Sequence, residues 1–362
     1  MSKHGKILVG MSGGVDSTVT ALLLHEQGYE VIGVTLNILD YTYAESRVHN
    51  PCCSLDSVMG AKEIADFIGF KHMIVDIREK FSETVMEGFK EEYMRGRTPN
   101  PCIWCNAEIK WKGLIQTADE FGCEKIATGH YARTDVKNGR TFLKRGVDPL
   151  KDQSYFLWAL DQHDLSRTVF PLGEMTKPEV RSIAFTRGHV RMANKQENFD
   201  ICFVPDNDYR AYLKDVIPGM EEDYKGGNFV DKNGNVLGQH EGYMHYTIGQ
   251  RKGLGIALGI PMYVTRINAS KNTVELGEET DLIRNGMIVG RLNPMKYDQI
   301  PEMEAVTMIR YKSKGVLSQL KRQGEQLSVE FLANTKGVAP GQSAVFYEDD
   351  DVIGGGIIME SL

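Results

Sequence analysis

The run Ile7-Leu8-Val9-Gly10-Met11-Ser12-Gly13-Gly14-Val15-Asp16-Ser17, continuing into Thr18-Val19-Thr20-Ala21-Leu22-Leu23-Leu24, decides how the chain is read. Its apolar start predicts a strand over Lys6 to Gly10. Its apolar end predicts a buried helix over Ser17 to Gln27. Strand, glycine turn, helix is a geometry that holds phosphates: first-turn amides point at the anion and the helix dipole favours negative charge. Gly13 and Gly14 accept positive φ, so backbone N–H groups can close around an anion. Ser12, Ser17 and Thr18 add hydroxyl donors.

A Walker A loop needs G-x-x-x-x-G-K-[ST], with a lysine reaching the terminal phosphates. This loop has no lysine and places Asp16 inside the turn. Ser-Gly-Gly-Val-Asp-Ser resembles the PP-loop of ATP pyrophosphatases, which cleave ATP between the α- and β-phosphates and transfer AMP. The resemblance implies ATP contacts from Gly10, Met11, Ser12, Gly13, Gly14, Val15, Asp16 and Ser17, with Asp16 helping to place Mg²⁺. A plain glycine-rich strand–helix turn is the bland alternative.

Outward from the loop, short apolar runs alternate with helical patterns to about residue 130. Strands are expected at Val31 to Leu36, His72 to Ile77 and Lys125 to Thr128. Helices are expected at Leu55 to Gly69, Phe81 to Arg95 and Ala107 to Phe121. This βαβα order predicts an α/β fold, a parallel sheet with helices on both faces. Ligands in such sheets sit beyond the carboxyl ends of the strands, so the loop after Val9, Leu36 and Gly129-His130 share one crevice.

A hairpin is expected around Asn138-Gly139. Helices follow from Lys151 through Leu160 and from Pro178 to Arg187. Asp200 to Val204 reads as a short strand, and Asp208 to Val216 as a last helix. Glycine pairs and the run from Gly249 to Gly259 then separate short β segments, the texture of a small β-rich domain. From Asn285, strands such as Glu304 to Arg310, Leu327 to Leu332, Ser343 to Tyr347 and Val352 to Met359 predict a closing β-barrel. Asp349-Asp350-Asp351 reads as a solvated hairpin tip. The expected division is 1–208, 209–281 and 282–362.

Apolar residues make up 41% of the 362 and charged residues 25%, which suits an ordinary globular core. No apolar run reaches the roughly 18 residues of a membrane span. The amino-terminal residues have no signal-peptide shape, so the expected location is the cytoplasm. Net charge is −7, and no part is net basic. A nucleic-acid partner must therefore be held by local patches.

Six cysteines in a reducing compartment point to catalysis, redox exchange or metal binding where they cluster. Cys102-Ile103-Trp104-Cys105 lies just before a predicted helix, and a thiol there has more thiolate character. A structural zinc half-site would need a second C-x-x-C pair, which the chain lacks. Cys202 on a strand end would by itself be an inert core cysteine, and Cys123 reads that way. Cys52 and Cys53 lie in a turn-rich segment.

Gly10 to Ser17, Pro101-Cys102-Ile103-Trp104-Cys105-Asn106, Thr128 to Arg133, Lys151 to Leu157, Asp200 to Phe203, His245 to Gly255 and Pro340-Gly341-Gln342 together resemble one family, the tRNA-specific 2-thiouridylases. The match runs nearly end to end. It implies ATP-dependent 2-thiolation of the wobble uridine of certain tRNAs. The C2 carbonyl of uracil is urea-like and a poor electrophile. Transferring AMP to its oxygen creates a leaving group, and a sulfur nucleophile then attacks C2. The resemblance implies that Cys202 carries a persulfide received from a sulfur-donor protein. Cys105 attacks it or helps deliver its terminal sulfur, leaving a Cys105–Cys202 disulfide for a cellular reductant.

The resemblance further implies that Leu36 and Gly129 line the adenosine. Asn100, Pro101 and Cys102 would face the target base. His130, Lys151, Asp152, Gln153, Arg310, Tyr311 and Gln342 match tRNA-contacting positions. A wobble base is splayed out cheaply and held by stacking and edge contacts. One departure matters: the common family form has aspartate where Cys102 stands. Cysteine removes a carboxylate and creates a trio, Cys102, Cys105 and Cys202, that can hold a [4Fe–4S] cluster with one open iron. The persulfide route is preferred because both of its cysteines are intact; no other metal ligand set is expected. Other classes are an amide-forming PP-loop synthetase, which needs no thiol pair, and a non-catalytic tRNA-binding or redox module, which leaves Asp16 unexplained.

Overall fold

A computed structural model of the protein describes residues 3–40, 55–194 and 201–362. Cys52, Cys53 and Asp200 lie outside the described residues. Strands β1 (Lys6–Gly10), β2 (Glu30–Asn37), β3 (Lys71–Asp76), β4 (Lys125–Ala127) and β7 (Thr168–Val169) form a parallel sheet in the order β3-β2-β1-β4-β7. Ile7, Leu8 and Val9 are fully buried at its centre. Helices α1 (Val15–Glu26) and α2 (Leu55–Ile68) follow β1 and β2. The order reverses between β1 and β4, so their carboxyl ends open a crevice. Among the described residues, no helix is long and apolar enough to cross a membrane.

Two further helices carry a local change of pitch. Helix α3 spans 78–94 with a π-helical turn at Ser82–Met86. Helix α4 spans 101–120, α-helical at Pro101–Trp104, π-helical at Cys105–Lys110 and α-helical again at Trp111–Glu120. The sequence reading started this helix at Ala107. Pro101 at its first turn moves the start forward, so Cys102 and Cys105 lie inside the helix rather than before it.

Asn138 and Gly139, both at positive φ, close the expected hairpin of β5 (Ala132–Lys137) and β6 (Arg140–Arg145). No long helix follows from Lys151; only Ser154–Phe156 forms a 3₁₀ turn. The Asp152 carboxylate accepts from the backbone N–H groups of Gly146 and Ser154 at 3.0 and 3.1 Å, which favours a turn over a helix. Helix α5 (Lys177–Thr186) starts on a Thr176–Glu179 capping box. Among the described residues, the strand expected from Asp200 to Val204 does not form. Residues 201–204 form a turn closed by Val204 N–H to the Ile201 carbonyl at 3.0 Å. Phe203 and Val204 are apolar because they fill a core, not because they pair.

Helix α6 (Tyr209–Val216) is capped by Asp208 and leads to a four-stranded sheet. Its strands are β8 (Gly227–Val230), β9 (Val236–His240), β10 (Tyr263–Asn268) and β11 (Thr273–Gly277), in the order β10-β11-β8-β9. The tail forms β12 (Ile283–Pro294), β13 (Glu304–Met308), β14 (Val316–Gln323), β15 (Gln326–Lys336), β16 (Ser343–Glu348) and β17 (Asp351–Ser361). Pairing of β12 with both β15 and β17 closes the barrel.

The β5–β6 hairpin joins the barrel sheet through β17. One core accordingly runs from Leu8 and Trp111 to Val345, Tyr347 and Ile357. A second core ties α3, α4 and α6 to the four-stranded sheet. Helix α4 contributes to both, with Ile103 and Trp111 in the first and Cys105 and Ile109 in the second.

The acidic triplet is not simply a solvated tip. Asp350 pairs with Arg133 at 3.2 Å, and Asp351 with Lys296 at 2.6 Å. Lys296 is 8% exposed and also contacts Glu348. Lys296→Met should lower stability in a urea titration by about 2 kcal/mol. That is less than a fully buried pair would lose, because Glu348 remains partly solvated.

Candidate active site

The loop between β1 and α1 is shaped by glycine and hydroxyls. Gly13 has φ +65°, and a Cβ there would lie 2.0 Å from the Ser57 carbonyl oxygen. Gly14 is the N-cap of α1 and has no side chain to cover the first-turn amides. The Ser12 N–H donates to Ser17 Oγ at 3.2 Å, and Thr18 Oγ1 donates to the Gly14 carbonyl at 2.9 Å. Met11 is tied to β2, its N–H donating to the Val34 carbonyl at 2.7 Å. A Cβ on Gly129 would lie 2.8 Å from the Asp16 carbonyl carbon, so the end of β4 touches the start of α1 as the crevice requires.

Asp16 has two partners that are distant in sequence. Lys177 Nζ donates to its carboxylate oxygens at 2.7 and 2.8 Å, and the Tyr131 hydroxyl donates to Oδ1 at 2.8 Å. The carboxylate stays partly solvent-facing, at 32% exposure against 8% for Lys177. A partly open carboxylate in a phosphate-shaped loop fits a Mg²⁺ ligand.

Two of the thiols lie on α4 and the third packs beside it. Cys102 occupies the first turn of α4, and Cys105 lies one turn on, where the π-helical segment begins. Such segments recur at functional sites because they turn side chains away from helical register. Cys105 is buried in a cluster with Phe81, Phe89, Phe203 and Tyr212, and Cys202 packs against the same cluster, half-buried. The Phe203 ring lies 5.3 Å from Phe89 and 5.4 Å from Tyr212, which anchors the chain next to Cys202. The far half of α4 lies under the β1–α1 loop and the end of β2. Cβ atoms on Gly10 and Gly113 would lie 3.2 Å from Leu114 and 3.5 Å from Leu36.

Other candidate residues assemble around α4, several with structural duties. Gln342 Nε2 donates to the Thr98 carbonyl at 2.8 Å, and the Thr98 N–H donates to the Pro340 carbonyl. The barrel thus grips the segment leading into Asn100 and Pro101. Asp152 holds its turn, and Gln153 exchanges two hydrogen bonds with the backbone of Tyr131. Lys151 ends that turn, half-buried. Tyr311 packs on Phe156 with ring centroids 4.4 Å apart, and Asn106 Nδ2 donates to the Phe156 carbonyl. Arg310, Lys312 and Lys314 are exposed beside this aromatic pair. Lys312 and Phe156 were not singled out from sequence, though alternating basic and aromatic residues were a usable signal.

The His130 ring lies 5.4 Å from that of Trp111, tilted by 46°, and its Nδ1 lies 2.9 Å from Thr128 Oγ1. Burial pushes its pKa down to about 3, with the Lys110 charge adding to the effect. The ring is neutral at physiological pH, so any RNA contact from it is a hydrogen bond or stack rather than an ion pair. In the unfolded chain histidine takes its proton near 6.5, the native ring only near 3. Stability should therefore fall as pH drops through that window. Urea midpoints at about pH 4 and about pH 7 check this: His130→Gln should show the smaller difference, and an unchanged difference would mean the imidazolium is solvated.

Among the described residues, one group of metal-type ligands converges: Asp161, His163 and Asp164. Lys112 already bridges its two carboxylates at 2.5 and 2.7 Å.

Three family models match the chain in succession. Residues 5–206 match the tRNA methyl transferase HUP domain, 211–278 the tRNA methyl transferase PRC-barrel domain, and 284–358 the aminomethyltransferase beta-barrel domain. A tRNA-specific 2-thiouridylase of Cytophaga hutchinsonii is 51% identical, over 100% of this chain and 99% of that protein. One from Amoebophilus asiaticus is 52% identical over 99% and 96%. One from Salinibacter ruber is 47% identical over 99% and 96%. An ATP-shaped loop, a thiol pair and full-length identity near one half agree: the chain belongs to the tRNA-specific 2-thiouridylase family.

Proposed function

We propose that this protein is an ATP-dependent tRNA sulfurtransferase that converts a wobble uridine to 2-thiouridine with release of AMP and pyrophosphate. The observation that carries the reading is helix α4: its amino-terminal half bears Cys102 and Cys105, and its other half packs under Leu36 and Gly10. Activation and sulfur delivery share one scaffold. The matched models are described as methyl transferases, yet the relatives near 50% identity are thiouridylases, and a thiol pair on the helix that packs under the loop suits sulfur transfer.

In this reading the loop from Gly10 to Ser17 holds ATP, with Leu36 and Gly129 beside the adenosine and Asp16 as the Mg²⁺ ligand. Bound Mg²⁺ would supply charge neutralisation for the triphosphate. Uracil O2 bonds to the α-phosphorus and pyrophosphate leaves. The terminal sulfur of a Cys202 persulfide attacks C2, and AMP leaves with the former carbonyl oxygen. Cys105 thiolate takes Cys202 Sγ, breaking the persulfide bond and forming a disulfide. Those two thiols supply the two electrons that turn persulfide sulfur into a thiocarbonyl. A sulfur-donor protein reloads Cys202, and a reductant reopens the disulfide.

Residues 1–208 supply the chemistry in this division, 209–281 close the apolar cluster around Cys105, and 282–362 contribute Arg310, Tyr311 and Gln342 to the tRNA face. Asn100, Pro101 and Cys102 border the flipped base. His130, Lys151, Asp152 and Gln153 complete the contact or hold it in shape. The competing sulfur route is a [4Fe–4S] cluster on Cys102, Cys105 and Cys202, favoured by the third thiol.

The direct test incubates the purified protein with MgATP, a persulfide donor and unmodified tRNA, then digests the tRNA for mass analysis. 2-Thiouridine dependent on ATP and confined to the wobble position is the expected product. Amide formation on an acid substrate, without RNA, would replace this reading with the synthetase one.

A further inference from the structure

Lys177 stands where a cation is least expected. It is the first residue of α5, and a helix amino terminus repels positive charge. Its side chain is 8% exposed, and burying an ammonium is costly unless an anion faces it. Two anchors fix it there. Its backbone N–H donates to Asp148 Oδ2 at 2.9 Å, and the Thr176–Glu179 capping box closes the turn. The fold brings its Nζ across a separation of 161 residues to Asp16. The Tyr131 hydroxyl holds the same carboxylate, and the ammonium lies 5.7 Å from the Tyr131 ring centroid. A phosphate-shaped loop with no lysine in its sequence thus has an ammonium in space.

We infer that Lys177 is a catalytic residue of adenylyl transfer, its ammonium passing from Asp16 to the phosphate oxygens of ATP. The inference rests on the ATP-dependent reading above. As uracil O2 bonds to the α-phosphorus, the bond from that phosphorus to the bridging oxygen breaks. Its electron pair leaves with pyrophosphate, where negative charge accumulates. The Lys177 ammonium meets that charge from a position set before ATP arrives, so little reorganisation is needed at the moment of reaction. Asp16 keeps the ammonium aimed at the loop until the triphosphate takes it over.

The structural alternative is that the ion pair only fastens α5 against α1. The experiment uses full-length wild type, Lys177→Met and Lys177→Arg with MgATP and unmodified tRNA. Pyrophosphate release gives kcat and the KM for ATP. Filter binding gives tRNA affinity, and equilibrium dialysis gives ATP affinity without tRNA. In Lys177→Met, kcat should fall about a hundredfold to a thousandfold while tRNA affinity is kept, and ATP should bind more weakly. Lys177→Arg should recover ATP binding more than rate, because a planar guanidinium does not reproduce the ammonium's contact. A kcat for Lys177→Met within roughly threefold of wild type overturns the inference. Should Lys177→Met not fold, Lys177→Arg decides alone: fastening predicts the wild-type rate, phosphate contact a slowed one. If wild type releases no pyrophosphate with tRNA, the ATP-dependent reading itself fails.

Discussion

Cys202→Ser is expected to stop 2-thiouridine formation while tRNA-dependent pyrophosphate release continues. A serine oxygen cannot carry a transferable sulfur, so thiolation should fall about a thousandfold or more. The fold should tolerate the change. Cys202 is half-buried at the edge of its cluster, and the neighbouring Phe203 holds the turn through Phe81, Phe89 and Tyr212. Exchanging Sγ for Oγ there should alter stability by no more than about 1 kcal/mol. The measurement pairs a pyrophosphate assay with nucleoside mass analysis on the same reaction. Loss of both activities in a folded variant would mean that Cys202 acts before adenylation, contrary to the sequence of steps proposed.

Asp16→Asn is expected to remove both activities. The substitution takes away the carboxylate that faces the loop and leaves the Lys177 ammonium with a neutral amide. Pyrophosphate release should drop about a hundredfold or more, and thiolation should fall with it, because no adenylate forms for sulfur to attack. Stability should fall too, by about 2 kcal/mol, less than for a fully buried pair because Asp16 is partly solvated. Thermal unfolding separates this cost from the kinetic one. If Asp16→Asn thiolates at the wild-type rate, the loop is not the site of activation. Together the two variants order the steps: one lesion blocks everything, the other only the sulfur half.

The parts legible in sequence were those set by local pattern. The apolar Ile7-Leu8-Val9 run and the glycine turn placed β1, the loop and α1. Their alternation with helices placed the crevice at Leu36 and Gly129. Asn138-Gly139 placed a hairpin, but nothing local says that this hairpin pairs with β17. Non-local contacts were hidden for the same reason. Lys177 meets Asp16, and Lys296 meets Asp351, only after the fold closes. Ile201 to Val204 resembled a strand because apolar residues fill a core in a turn as readily as in a sheet. Lys177 did leave a trace: a lysine beginning a well-capped helix runs against the dipole and asks for a partner.

Cys102 concentrates the open chemistry, because it lies in the first turn of α4 ahead of Cys105. The persulfide route uses two cysteines and ends in a disulfide. The cluster route uses three and ends without one.

The account turns on α4 serving ATP activation and sulfur transfer in one sequence. Its most direct test is a single turnover of persulfide-loaded protein with MgATP and unmodified tRNA, without reductant, quenched by alkylation. Peptide mass spectrometry would then read the cysteines and nucleoside analysis the tRNA. The predicted result is one 2-thiouridine per AMP released, together with a Cys105–Cys202 disulfide and unlinked Cys102. Thiolation in iron-loaded protein with both cysteines still reduced, or thiolation without AMP release, would contradict it.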